Sequence, residues 1–465
     1  MVFKKVSPEI LALFVECVGE QYIKSDKEYI SRFSHDETED LEYYPEIVAI
    51  PATTDELSCL LKICNEHSIP VTPRGGGTGL SGAALAVYGG LLISMERFNR
   101  IIDIDERNLQ ATIEAGVITQ DFIDAVAEKG LLYPVDPSSK GSSLMGGNLA
   151  HGAGGPRVVK YGTIREYILN LQVVLPTGDV IWTGANTLKY ASGYNLTQLM
   201  IGAEGTLGII TQIVVKLIAR PSQDALMLAS FASNEEACAA VSAIFRTGVV
   251  PSALEFMERT GVEWVINYGQ IPFNLKDDVA AFLLIELDGD NADVLASDCE
   301  KIKKVLASYN CLDVLFAETT EQKDDLWRIR RVLPLSVKSN SVYKEEDTVI
   351  PRAELPQLIT GIKRIGCIYG FSSVCYGHAG DGNLHVNIIK GEMSDDDWNF
   401  KLKEGIREIF ELTVALGGTI SGEHGIGLVQ KEFMSVKYSD LHIDLMKGIK
   451  QVFDPNGILN PGKIF

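Results

Sequence analysis

Three of the seven histidines fall in two short motifs, Gly377-His378-Ala379-Gly380-Asp381-Gly382-Asn383-Leu384-His385-Val386-Asn387 and Ser421-Gly422-Glu423-His424-Gly425-Ile426-Gly427. His385 and Asn387 stand two apart in an apolar run, so as a strand they share one face, and the glycine turn after His378 can fold that residue back beside His385. Glu423 and His424 are adjacent and diverge, so one can ligate a metal while the other faces something else. Two histidines and one carboxylate make an open metal site, with coordination positions left for a substrate. Zinc suits such ligands first; manganese and iron(II) suit them as well, and no sequence feature separates the three.

A second kind of chemistry is written in Pro73-Arg74-Gly75-Gly76-Gly77-Thr78-Gly79-Leu80-Ser81-Gly82. Glycines leave no Cβ in the approach path, so successive amides can converge on an anion, with Arg74 and the Thr78 and Ser81 hydroxyls adding donors. The loop reads as a diphosphate cradle. Gly77-x-Gly79-x-x-Gly82 matches the dinucleotide fingerprint in form, but only Ala83 to Tyr88 separate it from Gly89-Gly90 and the strand-like Leu91 to Met95, too little for the helix of a βαβ unit. No Gly-Lys-Ser/Thr follows, so the Walker reading fails too. A second stretch of small residues, Gly141 to Gly155, reads as a close-approach surface for a large flat ligand.

The elements that must position these groups follow from periodicity. Ser7-Pro8-Glu9 opens a helix with Leu11, Phe14, Val15 and Val18 on one side; Thr53-x-x-Glu56 is a capping box for a helix to about Glu66. Strands are expected at Pro45–Pro51, Ile69–Thr72, Ile101–Asp105, Gln110–Glu114 and Leu169–Leu175, and a helix at Thr119–Lys129. From Ala225 the pattern becomes strand (226–231), helix (234–245), strand (253–257), strand (279–287), helix (293–308) and strand (312–316). That alternation predicts an antiparallel sheet covered by helices on one face. Ser394 and the three aspartates after it cap a helix reaching Leu416.

At 465 residues the chain exceeds one hydrophobic core. Its 62 acidic against 42 basic side chains give a net charge of -20, which disfavours nucleic acid and anionic lipid as partners. No apolar run reaches the length of a membrane span, and the start lacks the apolar core of a signal peptide, so a cytoplasmic location is expected. The eight cysteines are scattered and read mostly as small buried residues of a reducing compartment, not as iron–sulfur ligands.

Arg74-Gly-Gly-Gly-Thr-Gly79, Asp136-Pro-Ser-Ser139, Gly146-Gly-Asn148, Lys160-Tyr-Gly162 and Gly202-Ala-Glu204-Gly-Thr-Leu-Gly208 together resemble the vanillyl-alcohol oxidase superfamily. The likeness is to the branch of glycolate oxidase flavin subunits, D-lactate dehydrogenases and D-2-hydroxyglutarate dehydrogenases. The resemblance implies an α+β chain: a lead-in at 1–42, a two-lobed PCMH-type FAD-binding domain at 43–221, a substrate or cap domain at 222–420, and a segment at 421–465 returning to the flavin. It implies FAD contacts at Arg74, Gly75, Gly76, Gly77, Thr78, Gly79 and Ser81. Further contacts are implied at Asp136, Pro137, Ser138, Ser143, Gly146, Gly147, Asn148, Gly154, Tyr161, Gly162, Glu204, Gly208, Ile209, Ile210 and Asn460. The first loop has no His or Cys, so dissociable FAD is expected. By the same resemblance His378, His385 and Glu423 hold the metal, His424 is the base, and Arg330, Lys344 and Asn387 bind substrate. The implied reaction oxidises a small D-2-hydroxy acid, D-lactate first, with glycolate and D-2-hydroxyglutarate as alternatives. Electrons then leave to an electron-transferring flavoprotein, an iron–sulfur subunit or a quinone. Two other readings on the same fold are non-redox chemistry of the ether-lipid-synthase kind and a non-catalytic flavin relay.

Overall fold

The structure, a computed structural model, describes residues 3–465. The chain divides into two compact units. The first holds residues 1–154, 163–220 and 423–465, and the second holds 155–162 and 221–422. The described part of the lead-in expected at 1–42, and all but the first two residues of the segment expected at 421–465, thus belong with the first unit, whereas 155–162 belongs with the second. The reason for the latter is polar: Arg157 pairs with Glu286 at 3.2 Å, Lys160 pairs with Asp288, and the Tyr161 hydroxyl donates to Asp288 at 2.7 Å.

In the first unit, strands β1 (Ile23–Lys24), β2 (Ile47–Ala49), β3 (Val71–Arg74) and β4 (Leu91–Ser94) form a sheet in the order β1-β2-β4-β3. Both β2 and β3 run parallel to β4. The crossover between β2 and β3 is the helix Thr54–His67, whose cap Thr53 accepts from Glu56 N at 3.2 Å. Helix Pro8–Val18 turns Ile10, Phe14 and Val18 inward. Cys17 and Cys59, one on each helix, form a disulfide, an exception to the expectation of mostly small buried residues in a reducing compartment. Their separation of 42 residues carries no sequence signature; helix packing brings them together.

The chain continues through β5 (Ile101–Asp105), β6 (Gln110–Glu114), β7 (Leu131–Leu132), β8 (Ile168–Val174), β9 (Val180–Trp182), β10 (Ile209–Lys216) and β11 (Ile218–Ala219). Five of these make a second, antiparallel sheet in the order β5-β6-β10-β8-β9, and β7 pairs with β11. The small-residue stretch after Gly141 contains an element that composition concealed, the helix Met145–His151. Glycines disfavour a helix in isolation. Here a Cβ on Gly146 would lie 2.7 Å from that of Ala115, so close packing against the chain after β6 requires the glycine and holds the helix.

The second unit is built on β12 (Gln223–Phe231), β13 (Ala253–Glu258), β14 (Ala281–Gly289), β15 (Cys311–Ala317), β16 (Tyr343–Val349), β17 (Ser372–Gly377) and β18 (Asn383–Ile389). They form one antiparallel sheet in the order β15-β12-β14-β13-β17-β18-β16. Helices cover both of its faces, not one. Val262 and Val265 of helix Arg259–Gly269 and Trp327, Leu333 and Val337 of helix Thr320–Asn340 pack with Met257, Phe282 and Tyr376. On the opposite face, Lys363 of helix Leu355–Tyr369 and Asn234 of helix Asn234–Phe245 reach Glu258. Continuous burial from Ala281 to Leu287, without alternation, is what two covered faces require. Ser394 caps the expected helix, its Oγ accepting from Asp397 N at 3.1 Å; the helix passes through a π-helical turn, Asp397–Lys401, before it runs as an α-helix over Leu402–Ala415.

Candidate active site

The first unit carries a cleft lined by Arg74 and Gly75 after β3, Gly146, Gly147, Ala150 and His151 of the short helix, and Glu204, Gly205, Gly208, Ile209 and Ile210 leading into β10. The two glycine stretches face one another. A Cβ on Gly76 would lie 2.4 Å from Ser142 O, whereas one on Gly147 would meet nothing within 4 Å and opens onto the cleft. Arg74 is buried, donates through Nη2 to His35 O at 2.8 Å, and stacks its guanidinium 5.6 Å from the Phe33 ring centroid. Its Nη1 and the Ser81 hydroxyl are buried with no hydrogen-bond partner, an arrangement that costs about 1–3 kcal/mol per group unless a ligand accepts the bonds. A dinucleotide diphosphate fits that requirement.

Several expected cofactor residues stand behind this wall. Asn148 Nδ2 donates to Thr119 Oγ1 at 2.7 Å, and Ser143 Oγ lies 3.0 Å from the same hydroxyl, so both brace the short helix. Asn460 is buried and donates to Ala83 O and Glu204 O, at 2.9 and 2.7 Å. Glu204, buried with its pKa raised by burial, accepts from Ile426 N and Gly427 N at 2.6 and 2.8 Å. Asp136 pairs with Lys140 at 3.5 Å. Tyr161 is spent on Asp288 and Gly162 caps its helix; both lie in the second unit, outside the residues that line the cleft. Gly154 N donates to Glu423 Oε2 at 3.1 Å. His151, which the sequence reading left unassigned, lines the cleft with Nδ1 3.0 Å from the main-chain oxygen of His424.

In the second unit the sheet gathers polar groups on one face. His378 follows β17 and His385 lies on β18; their ring centroids are 5.5 Å apart and both residues are buried. The turn between them needs glycine: Gly382 has φ +88°, and a Cβ there would lie 1.9 Å from Ile350 O. Register puts Glu345 opposite Asn387 and Asp347 opposite His385, so these four share a face. Glu345 Oε1 is 3.5 Å from His385 Nδ1. Lys344 pairs with Ile388 and therefore points to the other face, where its Nζ lies 5.7 Å from the Trp398 ring. That sets it on the face opposite His385 and Asn387.

Glu255 on β13 organises this face, and the sequence reading missed it. It is fully buried, both its oxygens lie 2.8 Å from His378 Nδ1, and Oε2 accepts from Arg330 Nε at 2.7 Å. Burial opposes its ionisation, but the charges of His378 and Arg330 outweigh burial and hold the carboxyl below its ordinary pKa. A histidine donating Nδ1–H to a carboxylate presents Nε2 as a lone pair, the usual support of a metal ligand. Arg330 is buried, with its guanidinium 5.0 Å from the Tyr376 ring centroid. The Tyr376 hydroxyl and the Asn387 amide are neighbours in the interior; they interact weakly with one another, and neither reaches full hydrogen-bond geometry with any group among the described residues. Gly422 N donates to Asp347 Oδ2 at 2.7 Å, so the chain leaves this unit beside His385's strand and continues directly into Glu423 and His424. Two buried histidines on one face of this unit, one of them backed by a carboxylate, are donors that fit a divalent metal.

A two-lobed first unit with a glycine-walled cleft, joined to an antiparallel sheet domain, defines the PCMH-type FAD-binding class. The solved structures of p-cresol methylhydroxylase with substrate bound (TM-score 0.81, 18% identity, 98% of this chain and 96% of that one) and of 4-ethylphenol oxidase from Gulosibacter chungangensis (0.78, 18%, 100% and 98%) share this fold. Residues 45–184 match the FAD binding domain family, and 220–464 match the FAD linked oxidases, C-terminal domain. Glycolate oxidase subunit GlcD of Bacillus subtilis is 40% identical over 93% of this chain and 92% of its own length. D-lactate dehydrogenase of Anaerostipes hadrus is 36% identical over 99% and 98%, and D-2-hydroxyglutarate dehydrogenase of Stutzerimonas stutzeri is 32% identical over 95% and 96%. The chain belongs to the FAD-linked oxidases of the vanillyl-alcohol oxidase superfamily, in the branch that holds these three kinds of enzyme, and is an FAD-dependent oxidoreductase.

Proposed function

We propose that the protein is a dehydrogenase of small D-2-hydroxy acids that uses dissociable FAD and a divalent metal, zinc first with manganese or iron(II) as alternatives. The carrying observation is the buried face on which Glu255 fixes His378 beside His385, next to the unfilled amide of Asn387. In this reading His378, His385 and Glu423 hold the metal. When bound, the metal supplies Lewis acidity toward the substrate hydroxyl and FAD supplies the hydride acceptor.

The chain's own residues do the rest. His424 takes the hydroxyl proton as the substrate loses hydride from Cα, and its main-chain oxygen is tied to His151 at the cleft. Arg330 receives the substrate carboxylate, held in place by Glu255, and Asn387 donates from the sheet face. The product is the 2-keto acid. D-Lactate is the preferred substrate, with glycolate next. Glu345 on the same face as His385, and Lys344 on the opposite one, disfavour the second carboxylate of D-2-hydroxyglutarate. Electrons pass to an electron-transferring flavoprotein, an iron–sulfur subunit or a quinone, and the location is cytoplasmic. Among the described residues no helix is long and apolar enough to cross a membrane. Turnover with an artificial electron acceptor tests the reading. D-Lactate should be oxidised and L-lactate should not, with activity lost on chelation and restored by metal. A holoenzyme inert toward D-lactate, D-2-hydroxyglutarate and glycolate contradicts it.

A further inference from the structure

Helix Asp440–Phe453 of the first unit is apolar on two sides. No residue of it is fully buried; Ile443, Met446 and Phe453 are half-buried on its inward side, and a second apolar stripe faces solvent: Leu441 is 68% exposed, Leu445 62%, Ile449 38% and Val452 78%. The inward side is anchored by a polar group, Lys450, which donates to Thr206 O at 2.7 Å and Leu459 O at 2.8 Å. Along the stripe Leu441, Leu445, Gly448 and Val452 recur in steps of four, three and four residues, the spacing of a helix–helix seam. Gly448 sits near the middle, and a Cβ there would meet nothing within 4 Å, so a second helix could approach closely at that point.

We propose that this face pairs with the same face of a second copy of the chain, the two helices running antiparallel about a two-fold axis that passes between Leu445 and Gly448. The charges choose this occupant. Asp440 and Asp444 are exposed in the first half of the helix and Lys447 in the second, and Asp444 and Lys447 make no ion pair among the described residues. Antiparallel pairing sets the acidic half of each copy against the basic half of the other and opposes the helix dipoles; parallel pairing stacks like on like. A lipid surface is disfavoured by the aspartates and by the net charge of -20. The stripe offers on the order of 400 Å² of apolar surface per copy, about half of what each partner brings to a stable interface, so it forms the apolar centre of a contact whose polar rim supplies the remainder.

Sedimentation velocity of the FAD-loaded full chain across a concentration series tests this. The wild type is expected to dimerise reversibly. Leu445→Glu should weaken dimerisation by at least about tenfold while leaving flavin content and melting temperature unchanged. Under mild oxidation Leu441→Cys/Val452→Cys should cross-link copies, whereas Leu441→Cys alone should not exceed the wild type, because its own mate lies at the far end of the pair. A wild type that stays monomeric throughout, including one that associates only with a different protein, or a dimer that survives Leu445→Glu, overturns the proposal. Cross-linking through Leu441→Cys alone overturns the antiparallel arrangement.

Discussion

Both carboxylate oxygens of Glu255 lie 2.8 Å from Nδ1 of His378, and the same carboxylate receives Arg330 Nε at 2.7 Å. One buried anion thus sets the ring of a proposed metal ligand and the position of the proposed carboxylate-binding cation. Glu255→Gln should lower metal affinity about 10–100-fold and, by leaving Arg330 buried without its counter-charge, cost about 3–5 kcal/mol of stability. Metal content after dialysis against defined metal concentrations, together with denaturant unfolding, measures both. Unchanged metal retention would show that His378 needs no such support.

Strand register separates two neighbouring charges. Lys344 lies on the face away from His385, so Lys344→Met should change kcat/KM for D-lactate by less than about threefold, an effect within ordinary surface variation. Glu345→Gln, by contrast, alters the group 3.5 Å from His385 and should narrow the preference for D-lactate over D-2-hydroxyglutarate. Kinetics on both substrates decide; a large loss in Lys344→Met would restore that lysine to the site.

Asn387 has no exposed surface, and neither atom of its amide completes a hydrogen bond. A group held for a ligand costs the protein stability in the ligand's absence. Asn387→Leu, similar in shape, should therefore leave the substrate-free protein at least as stable while raising KM about tenfold or more. A lower melting temperature with KM unchanged would mark the amide as structural.

Lys463 is buried and its pKa is pushed down to about 7, chiefly by desolvation, partly offset by Glu204 and Asp36. Between about 7 and the ordinary lysine value, the unfolded chain binds the proton that the folded state has released, so stability attributable to this group rises with pH across that window. Lys463→Met should therefore stabilise the protein relative to wild type more at pH 6 than at pH 9. Denaturation curves at the two values measure it, and a pH-independent difference would contradict the shift.

The parts of the fold legible in the sequence are those with local causes. The caps Ser7 and Thr53 and the helix Asn234–Phe245 follow from capping and periodicity, which short-range chemistry governs. What was hidden depends on distant partners. Helix Met145–His151 exists because Gly146 packs on Ala115; Cys17 meets Cys59 through helix packing; Lys344 and Glu345 differ by one residue, which only register resolves. Glu255 did leave a trace, an acidic residue inside the apolar run Ala253–Met257, and a charge at such a position demands a partner. The two histidine motifs were visible from their glycine turns; the carboxylate that holds His378 was not, because it lies 123 residues away.

Anaerobic reduction of the bound flavin tests the central claim most directly. D-Lactate, L-lactate, glycolate and D-2-hydroxyglutarate are added separately to the purified holoenzyme, and the flavin band near ~450 nm is followed before and after chelation. The account predicts bleaching by D-lactate, none by L-lactate, loss of bleaching with chelator and recovery with added metal. A flavin that dithionite reduces but no 2-hydroxy acid does would contradict it.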